Sequence, residues 1–175
     1  MNAVPRKWWI LGLLAPPLVW ADLYTKVLVA RRMYPYESVD VIPGFFGILY
    51  ARNRGAAFSL FHDLDPSWSL YFFIGVTIVA TSVLVYLFRS IRGRHATLLS
   101  FTVALIASGA VGNFTDRVRL GHVIDFLDVY VGTHHWPTFN LADCYISIGA
   151  ALLILYSFFL EPRERKEEEA AARSR

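Results

Sequence analysis

Four long apolar stretches alternate with polar segments along this chain. They lie near residues 8–30, 67–88, 95–115 and 141–160. Each reaches the roughly 20 residues that a helix needs to cross the hydrocarbon core of a bilayer. Hydrophobic residues make up 55% of the chain, and the mean hydropathy is +0.42. The pattern predicts a single membrane domain of four transmembrane helices, residues 1–160, followed by a charged tail, residues 161–175.

The segments between the apolar stretches carry patterns of their own. Residues 38–42 alternate as a half-buried strand does, and Pro43-Gly44 marks a turn before a second strand candidate, residues 45–51. Ala56–Phe61 is short and apolar on one side, which is typical of an interfacial helix. Residues 123–129 also alternate, with a turn at Gly132-Thr133. We therefore expect a small sheet and an interfacial helix that cap the helices on one face.

Positive charge predicts the orientation. The termini and the second connection hold ten Lys and Arg residues, against six Arg residues in the first and third connections. Since short cytoplasmic loops collect such residues, both termini are expected in the cytoplasm. The net charge of +3 comes from scattered residues rather than one basic patch, so we expect no nucleic-acid partner. The chain has no His-Glu-x-x-His or Cys/His ligand pattern and one cysteine, so neither a metal site nor a cofactor is expected.

Polar side chains cluster near the predicted outer ends of the spans. Asp22 and Lys26 are four residues apart, so on a helix they can form an ion pair. Asn113 and Asp116 are three apart and are followed by Arg117, which can hold a carboxylate or a peptide carbonyl. Asn140 and Asp143 repeat the Asn-x-x-Asp spacing at the start of the last span. Asn53, which follows a strand candidate, is by itself a weak signal for a binding element.

Carboxylates at the edge of a bilayer call for a chemical explanation, because a charge in the hydrocarbon costs about 2.5–3.5 kcal/mol on insertion scales. Two aspartates that meet there could act as an aspartyl protease. Asp143 is one candidate, and spacing alone does not rank Asp125 above Asp128 as its partner. A small proton- or ion-coupled carrier also needs intramembrane carboxylates, and a non-catalytic assembly protein of four spans is a third hypothesis.

Five short motifs occur in one order between these spans. They are Asp22-x-x-Thr25-Lys26, Asn53-x-Gly55-Ala56-Ala57-Phe58, Gly109-x-x-Gly112-Asn113-x-x-Asp116-Arg117, Val123-Ile124-Asp125-Phe126 and Phe139-Asn140-x-Ala142-Asp143. In this set and order, over about residues 8–160, the chain resembles the bacterial lipoprotein signal peptidases, or signal peptidase II. The resemblance implies an all-α inner-membrane protein with four transmembrane helices, a small periplasmic β-sheet cradle and a short interfacial helix.

The resemblance also implies an activity. It makes Asp125 and Asp143 the catalytic pair near the periplasmic face. Prolipoproteins with a diacylglyceryl-modified cysteine would be the substrates, cut on the amino side of that cysteine. We expect globomycin to inhibit the enzyme, and membrane lipids to surround what is expected to be a monomer. Substrate-binding or dyad-supporting roles would fall to Asn113, Arg117, Asn140, Asn53, Asp116, Asp22 and Lys26.

Overall fold

The computed structural model describes residues 5–54, residues 66–163 and the single position 173. Its long helices are α1 (Arg6–Arg32), α2 (Pro66–Ser90), α3 (Ala96–Leu120) and α4 (Leu141–Leu155), which continues as a π-helical turn, Tyr156–Leu160. Over the described residues, four helical segments are long and apolar enough to cross a membrane. The four predicted spans are confirmed; α1 and α2 extend beyond the predicted limits at both ends, and α3 does so at its C-terminal end.

The helix α3 is the centre of the bundle. Half of its most apolar window is buried within the protein, against 6–11% for the other three spans. Small residues on α3 make close packing possible. A Cβ atom added at Gly109 would overlap the carbonyl oxygen of Ala142 on α4, and one added at Gly112 would overlap the carboxylate of Asp22 on α1. Close approach at these two glycines therefore brings α1 and α4 against α3, as small residues allow in membrane helices.

The connections on one side of the bundle form an antiparallel sheet in the order β1-β2-β3-β4. Its strands are β1 (Ser38–Ile42), β2 (Phe46–Asn53), β3 (Val123–Val131) and β4 (His134–His135). The predicted sheet is confirmed, although β2 runs two residues further than the pattern indicated. A bridge between Leu127 and Phe139 returns the chain toward α4. The predicted interfacial helix at Ala56–Phe61 lies outside the described residues.

The sheet is anchored to the helices by an apolar cluster. Val29 of α1 packs with Tyr50 of β2 and with Ile124 and Phe126 of β3, and all four side chains are buried. At the end of α3, Gly121 adopts a left-handed conformation with φ of 73°, which an L side chain rarely adopts. This turn leads directly into β3. The start of β3 is therefore held against the ends of α1 and α3.

Replacing Gly109 with Val tests the close packing of α3 on α4. The added side chain overlaps backbone at Ala142, which cannot rotate away, so we expect the free energy of unfolding to fall by about 1–3 kcal/mol. Thermal unfolding in detergent micelles measures the change. Gly75→Val is the matched control, since a Cβ atom at Gly75 on α2 has open space around it. Equal melting temperatures for the two variants would contradict the packing argument.

Candidate active site

Asp125 lies on β3 and accepts hydrogen bonds at both carboxylate oxygens. In the register of the sheet it pairs with Ala51, so Asn53 lies on the same face two residues further along β2. The Asn53 side-chain amide donates to Oδ2 over 2.9 Å, and the Asn140 amide donates to Oδ1 over 2.6 Å. The Asp125 residue is only 2% exposed. The strand pairing therefore fixes this carboxyl group in a nearly dry position.

Asp143 lies in the first turn of α4, where a helix favours negative charge. Its backbone N–H donates to the side-chain oxygen of Asn140 over 3.0 Å, and its Oδ2 accepts from the backbone N–H of Asn140 over 3.2 Å. These two bonds form a capping box. Its other oxygen, Oδ1, accepts from the side-chain amide of Asn113 over 2.8 Å. Asp143 is thus fixed from both α3 and its own helix, and it is half-buried.

Asn140 joins the two carboxyl groups. Its side-chain amide donates to Asp125, and its backbone N–H donates to Asp143. Asn140 itself is fully buried. The structure therefore brings together a residue of β3 and a residue of α4 that are 18 positions apart in the sequence. Their catalytic roles stay a prediction at this point.

Asp128, the alternative left open by the sequence spacing, faces a different environment. Its carboxylate contacts the ring of His135 on β4 over 2.9 Å. That ring stacks on Tyr130, whose hydroxyl donates to Asp40 over 2.6 Å. Because side chains alternate along a strand, residues three apart point to opposite faces. The geometry therefore separates Asp128 from the pair formed by Asp125 and Asp143.

The predicted ion pair of Asp22 and Lys26 is present and is part of a larger cluster. The Lys26 ammonium lies 2.9 Å from Asp22 and 3.2 Å from Asp116. It also donates to the side-chain oxygen of Asn113 over 2.9 Å. Asn113 and Asp116 thus face the same way, as their spacing predicted. All of these side chains are buried, so Lys26 does not extend to the membrane surface.

Both carboxylates around Lys26 also hold backbone. Asp22 accepts from the N–H of Ala142 over 2.9 Å, and Asp116 accepts from the N–H of Ile124 over 3.2 Å. Ala142 directly precedes Asp143, and Ile124 directly precedes Asp125. The ionic cluster therefore fixes the backbone beside each member of the pair. The sequence spacing did not predict these backbone contacts. Gly112 is a sign in the sequence that another side chain, here Asp22, can approach α3 closely.

Arg117 lies beside the pair without a direct role in the hydrogen bonds described above. Its guanidinium lies 4.7 Å from the centre of the Phe73 ring, a cation–π contact with α2. One of its nitrogens approaches the backbone oxygen of Asn113 at 3.5 Å. The charge is close enough to interact with Asp143 and Asp125 through space. Phe73, which the sequence analysis did not single out, contacts this arginine from α2.

The environment of Asp125 changes its acidity. Burial, followed by the negative charge of Asp143, raises the pKa of Asp125 to about 7, although hydrogen bonds from Asn53 and Asn140 act in the opposite direction. A carboxyl group with this pKa can exchange a proton near neutral pH. Within residues 5–54 and 66–163, no three His, Cys, Asp or Glu side chains are grouped to hold a metal ion. The arrangement is suited to acid–base chemistry between two carboxyl groups.

Comparison with known proteins identifies the family. The model of a family described as signal peptidase (SPase) II matches residues 14–159. A lipoprotein signal peptidase of Geobacter metallireducens is 50% identical over 146 residues, which are 83% of this chain and 88% of that protein. The corresponding protein of Francisella tularensis subsp. novicida is 41% identical and covers 90% of this chain and 94% of its own length. These matches do not favour the carrier hypothesis.

Solved structures give the same result for the fold. One, described as a bacterial membrane enzyme determined by the in meso method at 2.3 Å, has a TM-score of 0.73 and 36% identity, and covers 83% of this chain and 85% of its own. A second, described in the same way at 1.9 Å, has a TM-score of 0.73 and 33% identity, with 86% and 93% covered. The chain therefore belongs to the signal peptidase II family, and it is a membrane protease that removes signal peptides from lipoproteins.

Proposed function

We propose that this protease is an aspartic endopeptidase whose catalytic residues are Asp125 and Asp143. The observation that carries the proposal is the double role of Asn140, which donates one hydrogen bond to each carboxyl group. Two acids held by one residue can act on a single water molecule. The substrate is a prolipoprotein whose cysteine carries a diacylglyceryl group, and the bond cut lies on the amino side of that cysteine.

In the proposed reaction, the two carboxyl groups share one proton. The ionised acid takes a proton from water, and the water oxygen attacks the scissile carbonyl carbon. The protonated acid gives its proton to the carbonyl oxygen, forming a tetrahedral diol. When the C–N bond breaks, the cysteine nitrogen takes the proton that the initially ionised acid removed from water. One hydroxyl of the diol returns a proton to the acid that was protonated at the start, and this restores the resting state of both carboxyl groups.

The surroundings of the two acids favour one assignment of the proton. Asp143 lies in the first turn of α4, and the charge of Arg117 interacts with it through space. Asp125 is almost completely buried, and burial and the negative charge of Asp143 raise its pKa to about 7. We therefore assign the base to Asp143 and the proton to Asp125 in the resting enzyme.

The remaining polar residues have supporting roles in this proposal. Asn53 and Asn140 orient Asp125, and Asn113 and Asn140 orient Asp143. Arg117, which is half-buried beside the pair, is the residue best suited to hold a carbonyl of the substrate backbone. Asp22, Lys26 and Asp116 hold the neighbouring backbone and Asn113. Rigid support of this kind keeps catalytic groups in productive geometry.

The same proposal places the enzyme in the bacterial inner membrane. The distribution of Lys and Arg supports an orientation with both termini in the cytoplasm and the sheet with Asp125 on the periplasmic side. In this proposal the membrane unit predicted for residues 1–160 acts as a monomer among membrane lipids, with residues 161–175 on the cytoplasmic side. Globomycin is the expected inhibitor, so cleavage of a lipidated prolipoprotein should stop when it is added.

Replacing Asp125 or Asp143 with Asn should abolish cleavage. Asparagine has nearly the same shape but can neither take nor give the proton, so we expect a fall of roughly 10³-fold or more. The rate is measured with purified protein in detergent and a diacylglyceryl-modified prolipoprotein, by the mobility of the product on a gel. Melting temperatures show whether each variant remains folded.

Asp128→Asn is the matched control for this experiment. Asp128 is another buried carboxylate of β3, but it contacts His135 rather than the catalytic pair. This variant should cleave at a rate close to that of the unmodified enzyme. Full activity of either Asp125→Asn or Asp143→Asn would exclude that residue from the reaction.

The pH dependence tests the proton assignment. If Asp125 supplies the proton, activity should fall as the pH rises through about 7, because the acid becomes ionised. The Asn53 amide stabilises the ionised form, so Asn53→Ala should raise the pKa of Asp125 further. We therefore expect the alkaline limb of the kcat profile to move up by about one pH unit. The assignment of the proton to Asp125 would be contradicted if the alkaline limb of Asn53→Ala did not move, or if Asp128→Asn moved it by the same amount.

A further inference from the structure

We infer that Lys26 is a positioning residue for the reaction, and that it acts by fixing the orientation of the Asn113 side-chain amide. This inference rests on the proposed function of Asp125 and Asp143. Lys26 belongs to α1 and donates no hydrogen bond to either aspartate in the contacts described above. The charge of Lys26 acts on Asp125 through space. Its effect on Asp143 is transmitted through Asn113, which lies between the ammonium group and Asp143.

The ammonium group determines which end of the Asn113 amide points toward it. A protonated lysine carries three donors and no acceptor, so only the amide oxygen can pair with it. The contact from Lys26 Nζ to Asn113 Oδ1 is 2.9 Å. The amide nitrogen must then point the other way, where it donates to Asp143 over 2.8 Å. Lys26 thereby ensures that Asp143 meets a donor rather than a carbonyl oxygen.

Asn140 is held in the matching orientation. Its side-chain oxygen accepts from the backbone N–H of Asp143, a donor that cannot be reversed. Its amide nitrogen therefore points toward Asp125, and it also lies 3.2 Å from the oxygen of Asn113. The Asn113 oxygen thus accepts from both Lys26 and Asn140. With this alignment, both amides present donors to the catalytic carboxyl groups.

The charges around this arrangement come from several elements. Asp22 of α1 and Asp116 of α3 face the ammonium group. Arg117 of α3 and Asp125 of β3 interact with Asp143 through space, and Cys144 is the next residue on α4. Lys26 is only 1% exposed and is balanced by two carboxylates, so it has no access to water as an alternative partner. Its remaining hydrogen-bonding capacity is directed at Asn113.

Loss of the ammonium group would remove the charged donor to the Asn113 oxygen and leave only the longer contact from Asn140, 3.2 Å, to hold the amide in this orientation. If the Asn113 oxygen faced Asp143, two acceptors would meet, and a proton on Asp143 would relieve the conflict. A protonated Asp143 cannot take a proton from water. The base would therefore be lost at pH values where the unmodified enzyme is active, while the binding of substrate would change little.

The experiment compares Lys26→Met with Lys7→Met. Lys7 lies on the same helix and also donates its hydrogen bonds to oxygens, but these are backbone carbonyls of Phe88, Arg89 and Ile91 at the other end of the bundle. For Lys26→Met we expect kcat to fall on the order of 10²-fold, with KM nearly unchanged and the acidic limb of the profile moved to higher pH. For Lys7→Met, the acidic limb of the pH profile should not move, even if the melting temperature changes.

Two further variants keep the test decisive if Lys26→Met does not fold. Lys26→Gln can still donate to Asn113 but can also accept, so it should give a smaller shift of the acidic limb. The combination of Lys26→Met with Asp22→Asn and Asp116→Asn removes the unbalanced charges and keeps acceptors for the N–H groups of Ala142 and Ile124. This combination should recover stability but not activity.

Two results would overturn the inference and leave the proposed function intact. One is a folded Lys26 variant with the pH profile of the unmodified enzyme. The other is recovery of full activity in the charge-balanced combination, since that would give Lys26 a structural role alone. Failure of the proposed function is a separate result, seen as full cleavage by Asp125→Asn or Asp143→Asn.

Discussion

The structure depends on one constraint, which is that polar groups within a membrane bundle must satisfy one another. An unpaired amide or charge in such surroundings costs several kcal/mol. Here Lys26, Asn140 and Asp22 are all at most 1% exposed, and each has partners on other elements. The hydrogen bonds form a continuous chain from Asp116 and Asp22 through Lys26 and Asn113 to Asp143, and through Asn140 to Asp125. Networks of this kind are specific because each member limits the orientation of the next.

The fold brings the members of this network together from four separate elements. Close contact at Gly109 and Gly112 sets α1 and α4 against α3, which places Asp22 beside the first turn of α4. The apolar cluster of Val29, Tyr50, Ile124 and Phe126 holds the sheet on the same end of the bundle. Strand pairing then sets Asn53 beside Asp125. Apolar packing therefore determines where the polar groups meet, and the polar groups determine the exact orientation of their neighbours.

The sequence predicted the individual helices and strands better than it predicted which of their residues come into contact. Spans, strands, the pair of Asp22 and Lys26, and the common face of Asn113 and Asp116 followed from local periodicity. Local periodicity did not separate Asp125 from Asp128, because residues 123 to 126 are buried on both faces of β3 and their burial does not alternate. The resemblance supplied that choice. Nor could spacing reveal that Asn140 bonds to both aspartates, since this depends on where β3 and α4 meet.

The two Asn-x-x-Asp pairs illustrate why identical spacing does not imply identical function. Asp116 lies near the carboxyl end of α3, where the helix dipole disfavours a negative charge, and Lys26 lies 3.2 Å away to balance it. Asp143 lies at the amino end of α4, where the dipole itself stabilises the charge. In the contacts described above, the Asp143 carboxylate accepts hydrogen bonds from Asn113 and Asn140 rather than from a lysine. The direction of each helix therefore decides how the two aspartates are balanced: Asp116 by the ion pair with Lys26, and Asp143 by the amino end of α4.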